Sequence, residues 1–433
     1  MKIYTYPSKS AEKRIASIIN RGLGFKKKDY DQVEQILEDV RKNGDKALIK
    51  YVNEFDSPGL SIKSIKVTPD EIEAAAKKVG TAFMRSLNRA IVQIESFHKR
   101  QLRNSWINTD RAGTFLGQIV NPVDSAGVYV PGGKEGKTPL VSSVLMGAIP
   151  AKIAGVKSIA MTTPPTKDGS INPHLLVAAK KVGIKEIYKL GSAWAIAALA
   201  YGTETVPKTD VIVGPGNIYV TLAKKIVSGT VGIDMIAGPS EILIIADSTA
   251  NPEFTAADLL SQAEHDAMAS AILVTNSEET ARAVDIAVEE QLKYLDRKDI
   301  AEKSLDSYGA IIVMPDLQAC FELANRIAPE HLELHIDNPF EHIGKIRNAG
   351  AIFVGDYTPE PVGDYMAGPN HVLPTAGAAR FASALSVDNF VKKTSIIHYS
   401  KEAFKREAKD IIRLAEIEGL DAHANSIKIR LKI

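Results

Sequence analysis

Several features that usually decide a protein's class are scarce in this chain. Its 433 residues include one cysteine. An internal disulfide is therefore excluded, and the composition fits a reducing compartment. Cys320 lies in the apolar helical run Leu317-Gln318-Ala319-Cys320-Phe321, which assigns it to packing rather than to nucleophilic chemistry. Charge of one sign is also missing: 53 Lys and Arg against 52 Asp and Glu leave a net charge of +1. That balance removes the electrostatic footprint expected of a nucleic-acid binder. The longest apolar run, Leu140 to Ala151, is broken by Ser142 and Ser143 and stops at Lys152, short of the roughly 20 apolar residues of a membrane helix. Met1 to Arg14 has no apolar stretch of signal-peptide length. The expectation is a cytoplasmic chain with neither nucleic acid nor membrane as partner.

What is present is a long alternation of helices and buried strands. At 433 residues two or more domains are expected. Val33, Ile36, Leu37 and Val40 form one helical stripe, and Leu48, Tyr51 and Val52 another. Thr68-Pro69-Asp70-Glu71 has the form of a capping box and predicts a long helix running toward Arg100. Phe115 to Val120 and Ala126 to Val130 read as an edge pair leading into a sheet. Strands follow at 158–163, 186–190 and 210–213, with helices at 173–181 and 192–201 between them. A second series places strands at 242–246, 271–275, 310–314, 331–336 and 351–354. Two doubly wound α/β layers result. After a loop-rich stretch, a strand at 395–399 and a final helix at 402–418 close the chain.

Polar motifs sit at the ends of these elements. In Asp258-Leu-Leu-Ser-Gln-Ala-Glu-His-Asp266, Gln262 and His265 fall three apart on a helix and so share a face. Leu259 and Leu260 then point inward with Phe254 and Ala263, while Asp258, Glu264 and Asp266 suit a solvated face. Glu330 and His331, in Ala-Pro-Glu-His-Leu-Glu333, set a carboxylate beside an imidazole at a strand entrance. Adjacent strand residues face opposite ways, so both serve one site only if Glu330 is still in the loop. Asp364 and His371 lie on an irregular loop, where function concentrates. Glu418 and His423 follow the last helix, around Gly419. Of two glycine-rich loops, residues 130–138 fail the phosphate-loop pattern because its first glycine falls on Pro131. Gly214-Pro215-Gly216-Asn217 is better placed, after a strand and opening a helix where backbone amides can meet a phosphate, although a tight turn competes.

These segments resemble the histidinol dehydrogenases, the last enzymes of histidine biosynthesis. The likeness rests on residues 258–266, Ala328-Pro-Glu-His-Leu-Glu333, Asn370-His-Val-Leu-Pro-Thr375 and Glu418-Gly-Leu-Asp-Ala-His423. Gly127-Val-Tyr-Val-Pro-Gly-Gly133, Gly214-Pro-Gly-Asn217 and Ala237-Gly-Pro-Ser-Glu241 extend it along nearly the whole chain. The resemblance implies two Rossmann-like, doubly wound parallel-sheet domains with a helical N-terminal and a small C-terminal extension. Residues 1–28 would pack with the tail; 29–125 plus 241–382 would form the catalytic, metal-binding domain; 126–240 the NAD side; and 383–433 a tail reaching the partner of a homodimer with shared active sites. Gln262, His265, Asp364 and His423 would be the zinc ligands, one zinc per subunit, and Glu330 and His331 the acid-base pair. Ser240, Gln262, His265, His331, Asp364, His371, Glu418 and His423 would contact substrate, and Tyr129, Trp194 and Asn217 the NAD. The implied reaction is the four-electron oxidation of L-histidinol to L-histidine through L-histidinaldehyde.

Two departures fall on the cofactor side. Trp194 stands where the family commonly has glutamine, either stacking on NAD or only packing, and the loop after Gly133 is longer, with Glu135-Gly136-Lys137 as the extra residues. His98, His174, His335, His342 and His398 lie outside the matching motifs and are read as surface or packing residues. A paralogue acting on another small alcohol would show a changed His371 or Glu418. A non-catalytic metal-binding assembly protein would have no need of Glu330 and His331.

Overall fold

A computed structural model describes residues 1–22, 24–133 and 138–432; the extra loop residues Glu135, Gly136 and Lys137 lie outside them. In chain order the described strands are β1 (Ile3–Thr5), β2 (Trp106–Asn108), β3 (Thr114–Pro122), β4 (Ser125–Tyr129), β5 (Ser158–Thr163), β6 (Glu186–Lys189), β7 (Val211–Val213), β8 (Gly232–Ile233), β9 (Glu241–Ala246), β10 (Ser270–Thr275), β11 (Ala310–Val313), β12 (His331–His335), β13 (Ala351–Val354) and β14 (Val391–Tyr399). They form a six-stranded sheet β1-β11-β10-β9-β12-β13, a five-stranded sheet β6-β5-β4-β7-β8 and a three-stranded sheet β14-β3-β2. The first two are parallel and the third antiparallel. The chain divides into one unit of residues 1–101 and 124–390, holding both parallel sheets, and a second of 102–123 and 391–433.

The six-stranded sheet is covered on both faces, which is why most of its strands, β12 apart, read as largely apolar runs. Side chains alternate. Ile242 and Ile244 pack with Leu259 and Leu260 of the helix Pro252–Ala263 and with Val284 of Glu278–Leu292. Leu243 and Ile245 face the other way, onto Ile15 of Lys9–Ile19 and Phe321 and Leu323 of Leu317–Ile327. Cys320 belongs to that second layer and is fully buried. In the five-stranded sheet, strand order reverses at β4. The crevice beyond the carboxyl ends of β4 and β7 is where such sheets bind ligands.

Several boundaries differ from expectation for identifiable reasons. The capping box of Thr68 and Glu71 forms, but its helix stops at Ala76 and a new one, Thr81–Lys99, starts after Gly80. Gly80 is extended, which removes a glycine costing roughly 1 kcal/mol in a helix interior. Phe115 to Val120 and Ala126 to Val130 are not a pair: β3 joins β14 in the second unit, while β4 joins β5 and β7 in the first. The helix carrying Gln262 ends at Ala263 with Glu264 as its cap, so His265 lies in the turn beyond it. Phe254 is exposed and Asp258 buried, the reverse of the expected faces.

In the second unit β14 pairs with β3 from Val391↔Pro122 to Tyr399↔Thr114. The helix Lys401–Ile417 follows, capped by Glu418 and released by the left-handed Gly419 at φ +70°. A further helix, Asp421–Leu431, then continues what sequence alone presented as a tail.

Candidate active site

The geometry starts from the main chain of one residue, Glu241. β9 and β12 lie side by side, with His331 opposite Ile242. The N–H of Glu241 donates to Glu330 Oε2 at 2.9 Å, and the carbonyl of Glu241 lies 2.9 Å from His331 Nδ1. Since a carbonyl only accepts, Nδ1 carries the hydrogen and Nε2 keeps a lone pair. Glu330 precedes the strand, as a shared site requires. Ala328, in the left-handed conformation at φ +56°, ends the preceding helix and sets up this entry. Arg21 braces the same corner: its guanidinium meets Glu241 Oε1 at 2.7 Å and the carbonyl of Met268 at 2.9 Å.

His331 Nε2 looks toward Glu360 Oε1 at 3.7 Å. Glu360 is held between Pro359 and Pro361, and its N–H donates to Glu333 Oε1 at 2.9 Å. One turn on, Asp364 joins the group, and ligand atoms of His331, Glu360 and Asp364 all lie within 4.8 Å of one another. Gln262, fully buried, donates from its amide nitrogen to the two Glu360 oxygens at 3.0 and 3.2 Å, turning its carbonyl oxygen away from that carboxylate. His265 is exposed but close enough to pull the Glu360 titration down. His331, Asp364 and His371 line one cavity of about 200 Å³. His371 Nε2 is buried there without a partner. Ser240 is half-buried immediately before β9.

Burial dominates the electrostatics. It raises Glu330 well above the ordinary carboxylate range, with Glu241, Glu360 and Asp364 adding repulsion against the Glu241 N–H. Glu360 is pushed up to about 7 by burial and then by Asp364. Burial lowers His331 and His371, which keeps both imidazoles neutral. The cluster therefore holds neutral imidazoles beside carboxylates whose negative charge is disfavoured unless a cation offsets it. It sits at the amino ends of β9 and β12, away from the carboxyl ends where open sheets usually bind ligands.

A second cavity, of about 480 Å³, does occupy that usual position, with Tyr129 at the end of β4 and Asn217 after β7 on its wall. Trp194 and Asp56 line it too. The Trp194 ring is stacked against Phe55 and Tyr51, at centroid distances of 5.6 and 5.8 Å, and its Nε1 donates to Asp56 Oδ2 at 3.0 Å. Gly191 N–H donates to the same oxygen at 3.1 Å. Gly214, at φ +119°, passes so close to the Tyr129 carbonyl that a Cβ would stand 2.1 Å from its oxygen. Lys224 Nζ donates to the Gly214 carbonyl at 2.9 Å and forms a buried ion pair with Asp234, whose other oxygen accepts the Gly214 N–H. The first-turn amides are not free, however: the Asn217 side chain accepts from Tyr219 and Val220.

Asp56 gives a pH prediction. Burial raises its pKa from 3.8 to about 6, against the Trp194 and Gly191 bonds. The folded chain thus binds a proton that the unfolded chain has released, and stability falls as pH rises through that window. Asp56→Asn does not titrate. Its stability relative to the parent should rise by up to about 3 kcal/mol from roughly pH 4 to 7. Urea midpoints of both proteins across that range would show it, and a constant difference would refute it.

Comparison with known proteins decides the family. A family model described as histidinol dehydrogenase matches residues 21–431. The chain is 58% identical over 400 residues to a histidinol dehydrogenase of Desulfotalea psychrophila, covering 92% of each chain. It is 51% identical to that of Heliobacterium mobile over the full length of both. A crystal structure of histidinol dehydrogenase from Elizabethkingia anophelis superposes with a TM-score of 0.93 at 42% identity, covering 100% of this chain and 98% of that one. The chain belongs to the histidinol dehydrogenase family.

As a histidinol dehydrogenase family member it is an oxidoreductase, and its motifs divide between the two units. Gln262, Glu330, His331, Asp364 and His371 come together in the first. Glu418 and His423 lie in the second, both exposed. Three members of the site escaped sequence reasoning: Glu360, the Glu241 main chain and Asp56. A lone acid between two prolines was the available signal for Glu360. His335, read as a bland histidine, is buried among acids on β12.

Proposed function

We propose that the protein oxidises L-histidinol to L-histidine through L-histidinaldehyde, reducing two NAD per turnover with one zinc per subunit at the catalytic site, as the last step of histidine biosynthesis in the cytoplasm. The observation that carries this reading is the pair Glu330 and His331, both tied to the Glu241 main chain, with the His331 lone pair aimed into the cavity of Asp364 and His371. The donor chemistry fits a divalent cation: imidazole and carboxylate ligand atoms of His331, Glu360 and Asp364 lie within 4.8 Å of one another, beside Gln262, where burial and mutual repulsion raise Glu330 and Glu360. Gln262, His265 and Asp364, with His423 of a second copy, would hold it. Tyr129, Trp194 and Asn217 would wall the NAD site, which fits the 480 Å³ cavity. When bound, zinc supplies a charged anchor for the substrate and NAD the hydride acceptor.

The residues of the chain then divide the proton work. His331 Nε2 takes the alcohol proton as hydride leaves in the first half-reaction. Glu330 takes a proton from the water that adds to the aldehyde, and the hydrate gives up the second hydride. Ser240, His371 and Glu418 would fix the substrate. The test is stoichiometric: two NADH per histidinol consumed support the reading, and one NADH with aldehyde as final product overturns the second half. His265→Asn should lower zinc content and turnover together, measured by elemental analysis and NADH absorbance; full metal at a normal rate would remove His265 from the ligand set.

We further propose a homodimer with shared sites. On the helix Lys401–Ile417, Ile411, Leu414 and Ile417 recur on one exposed face, with Leu420 beyond it, a stripe that a second copy would cover. Mixing an inactive His423→Ala chain with an inactive Gln262→Ala chain should restore partial activity after subunit exchange. Silence from dimers shown to be mixed would place each site within one chain.

A further inference from the structure

The strand that carries His331 has a second polar group on the same face. Residues two apart on a strand point the same way, so His331, Glu333 and His335 stand in a row along β12. A strand buried on both faces is expected to be apolar, yet Glu333 and His335 are 0% and 1% exposed. Asp258, 9% exposed on the helix Pro252–Ala263, completes the group. None of the three belongs to the site proposed above.

Counting protons shows what the group lacks. The Thr255 hydroxyl donates its only hydrogen to the Asn251 carbonyl at 3.1 Å. It therefore accepts from His335 Nδ1, 2.9 Å away, and His335 Nε2 is left with a lone pair. That lone pair faces Asp258 Oδ2 at 3.6 Å and Glu333 Oε2 at 3.5 Å. Neither His335 Nε2 nor Glu333 Oε2 has a hydrogen-bond partner. Glu333 Oε1 is occupied by the Glu360 N–H. Three electron-pair donors thus converge on one point, with all their ligand atoms within 4.8 Å.

A proton shared between His335 Nε2 and either carboxyl would draw that pair to hydrogen-bond length, and 3.5 to 3.6 Å is too long for that, while Asp258 and Glu333 bring two carboxyls against each other. The same spacing suits a metal, because ligands about 2.0–2.2 Å from a tetrahedral zinc lie roughly 3.4 Å from each other. One imidazole and two carboxylates also balance a divalent charge, leaving the buried group neutral. We propose that Asp258, Glu333 and His335 form a second divalent-metal site, filled by zinc or a first-row ion of similar size. Its structural effect reaches the catalytic cluster through one bond: by fixing Glu333, the ion fixes the acceptor of the Glu360 N–H.

The measurement is the number of zinc equivalents bound by the metal-stripped full chain, by titration and elemental analysis. His335→Gln and Glu333→Gln should each lose one equivalent relative to the parent, and His265→Asn should lose a different one. His335→Gln combined with His265→Asn should then lose both. This separates the proposal from the catalytic zinc: failure of His265→Asn to lose metal counts against the latter alone. Unchanged stoichiometry in folded His335→Gln overturns the second site. Should neither strand variant fold, anomalous diffraction from parent crystals grown with zinc decides, by a peak among the three side chains or by none.

Discussion

Glu330→Gln should lower aldehyde oxidation by about 10²- to 10⁴-fold, the range of a lost general base, and impair alcohol oxidation much less. The asymmetry follows from the proposed division of proton work, in which His331 receives the alcohol proton and Glu330 acts on water. Glutamine retains the shape and can still accept the Glu241 N–H, so the loss measures basicity rather than folding. Cys320→Ser should leave both steps nearly intact. Its thiol is fully buried and pushed up to about 12 by burial and by Asp316, which rules it out as the nucleophile that many aldehyde oxidations use. Assaying each half-reaction separately in the two variants checks this. A Cys320→Ser protein dead only in the aldehyde step would overturn the water-addition mechanism.

Lys224→Met should cost about 3–5 kcal/mol of folding stability, because it leaves the Asp234 carboxylate buried without its cation. Both side chains are almost completely shielded, at 3% and 0% exposure. The affinity for NAD should fall as well, since Lys224 holds the Gly214 carbonyl and Asp234 the Gly214 N–H. Adding Asp234→Asn should recover part of the stability by removing the stranded charge, while the loop stays loosened. Denaturant midpoints and calorimetric NAD binding of the single and double variants separate the two effects. A double variant no more stable than Lys224→Met would show that the charge is not what matters.

Nine of the eleven parallel strands were legible almost to the residue, because strands covered on both faces are mostly apolar; β1 and β8, two or three residues long at the sheet edges, carry too short a run to be read. β5, for instance, spans 158–163 as its Ser-Ile-Ala-Met-Thr-Thr run suggested. Errors arose where the partner is remote. Nothing local in Phe115 to Val120 tells that its neighbour is Val391–Tyr399 and not the run that follows it. Glu360 escaped for a different reason. It sits in a three-residue helical turn between prolines, where no periodicity marks an inward face. His335 was misread because strand alternation puts it in line with His331, yet its meaning depends on Asp258 and Thr255 across the layer. The Glu241 contribution is carried by its backbone, which no side-chain motif can announce.

The order of the six-stranded sheet bears on how the chain is made. β1 pairs with β11, Ile3 against Ile311, about 300 residues later. At a ribosomal rate of about 5–20 residues per second, β1 waits roughly 15–60 seconds for its neighbour to be synthesised. The five-stranded sheet, by contrast, is complete once Ile233 emerges. During synthesis it can close while the six-stranded sheet still lacks every strand but one. An unpaired strand edge is a liability for that long, so the yield of folded enzyme in the cell should depend on what shelters the first segment while the rest is translated.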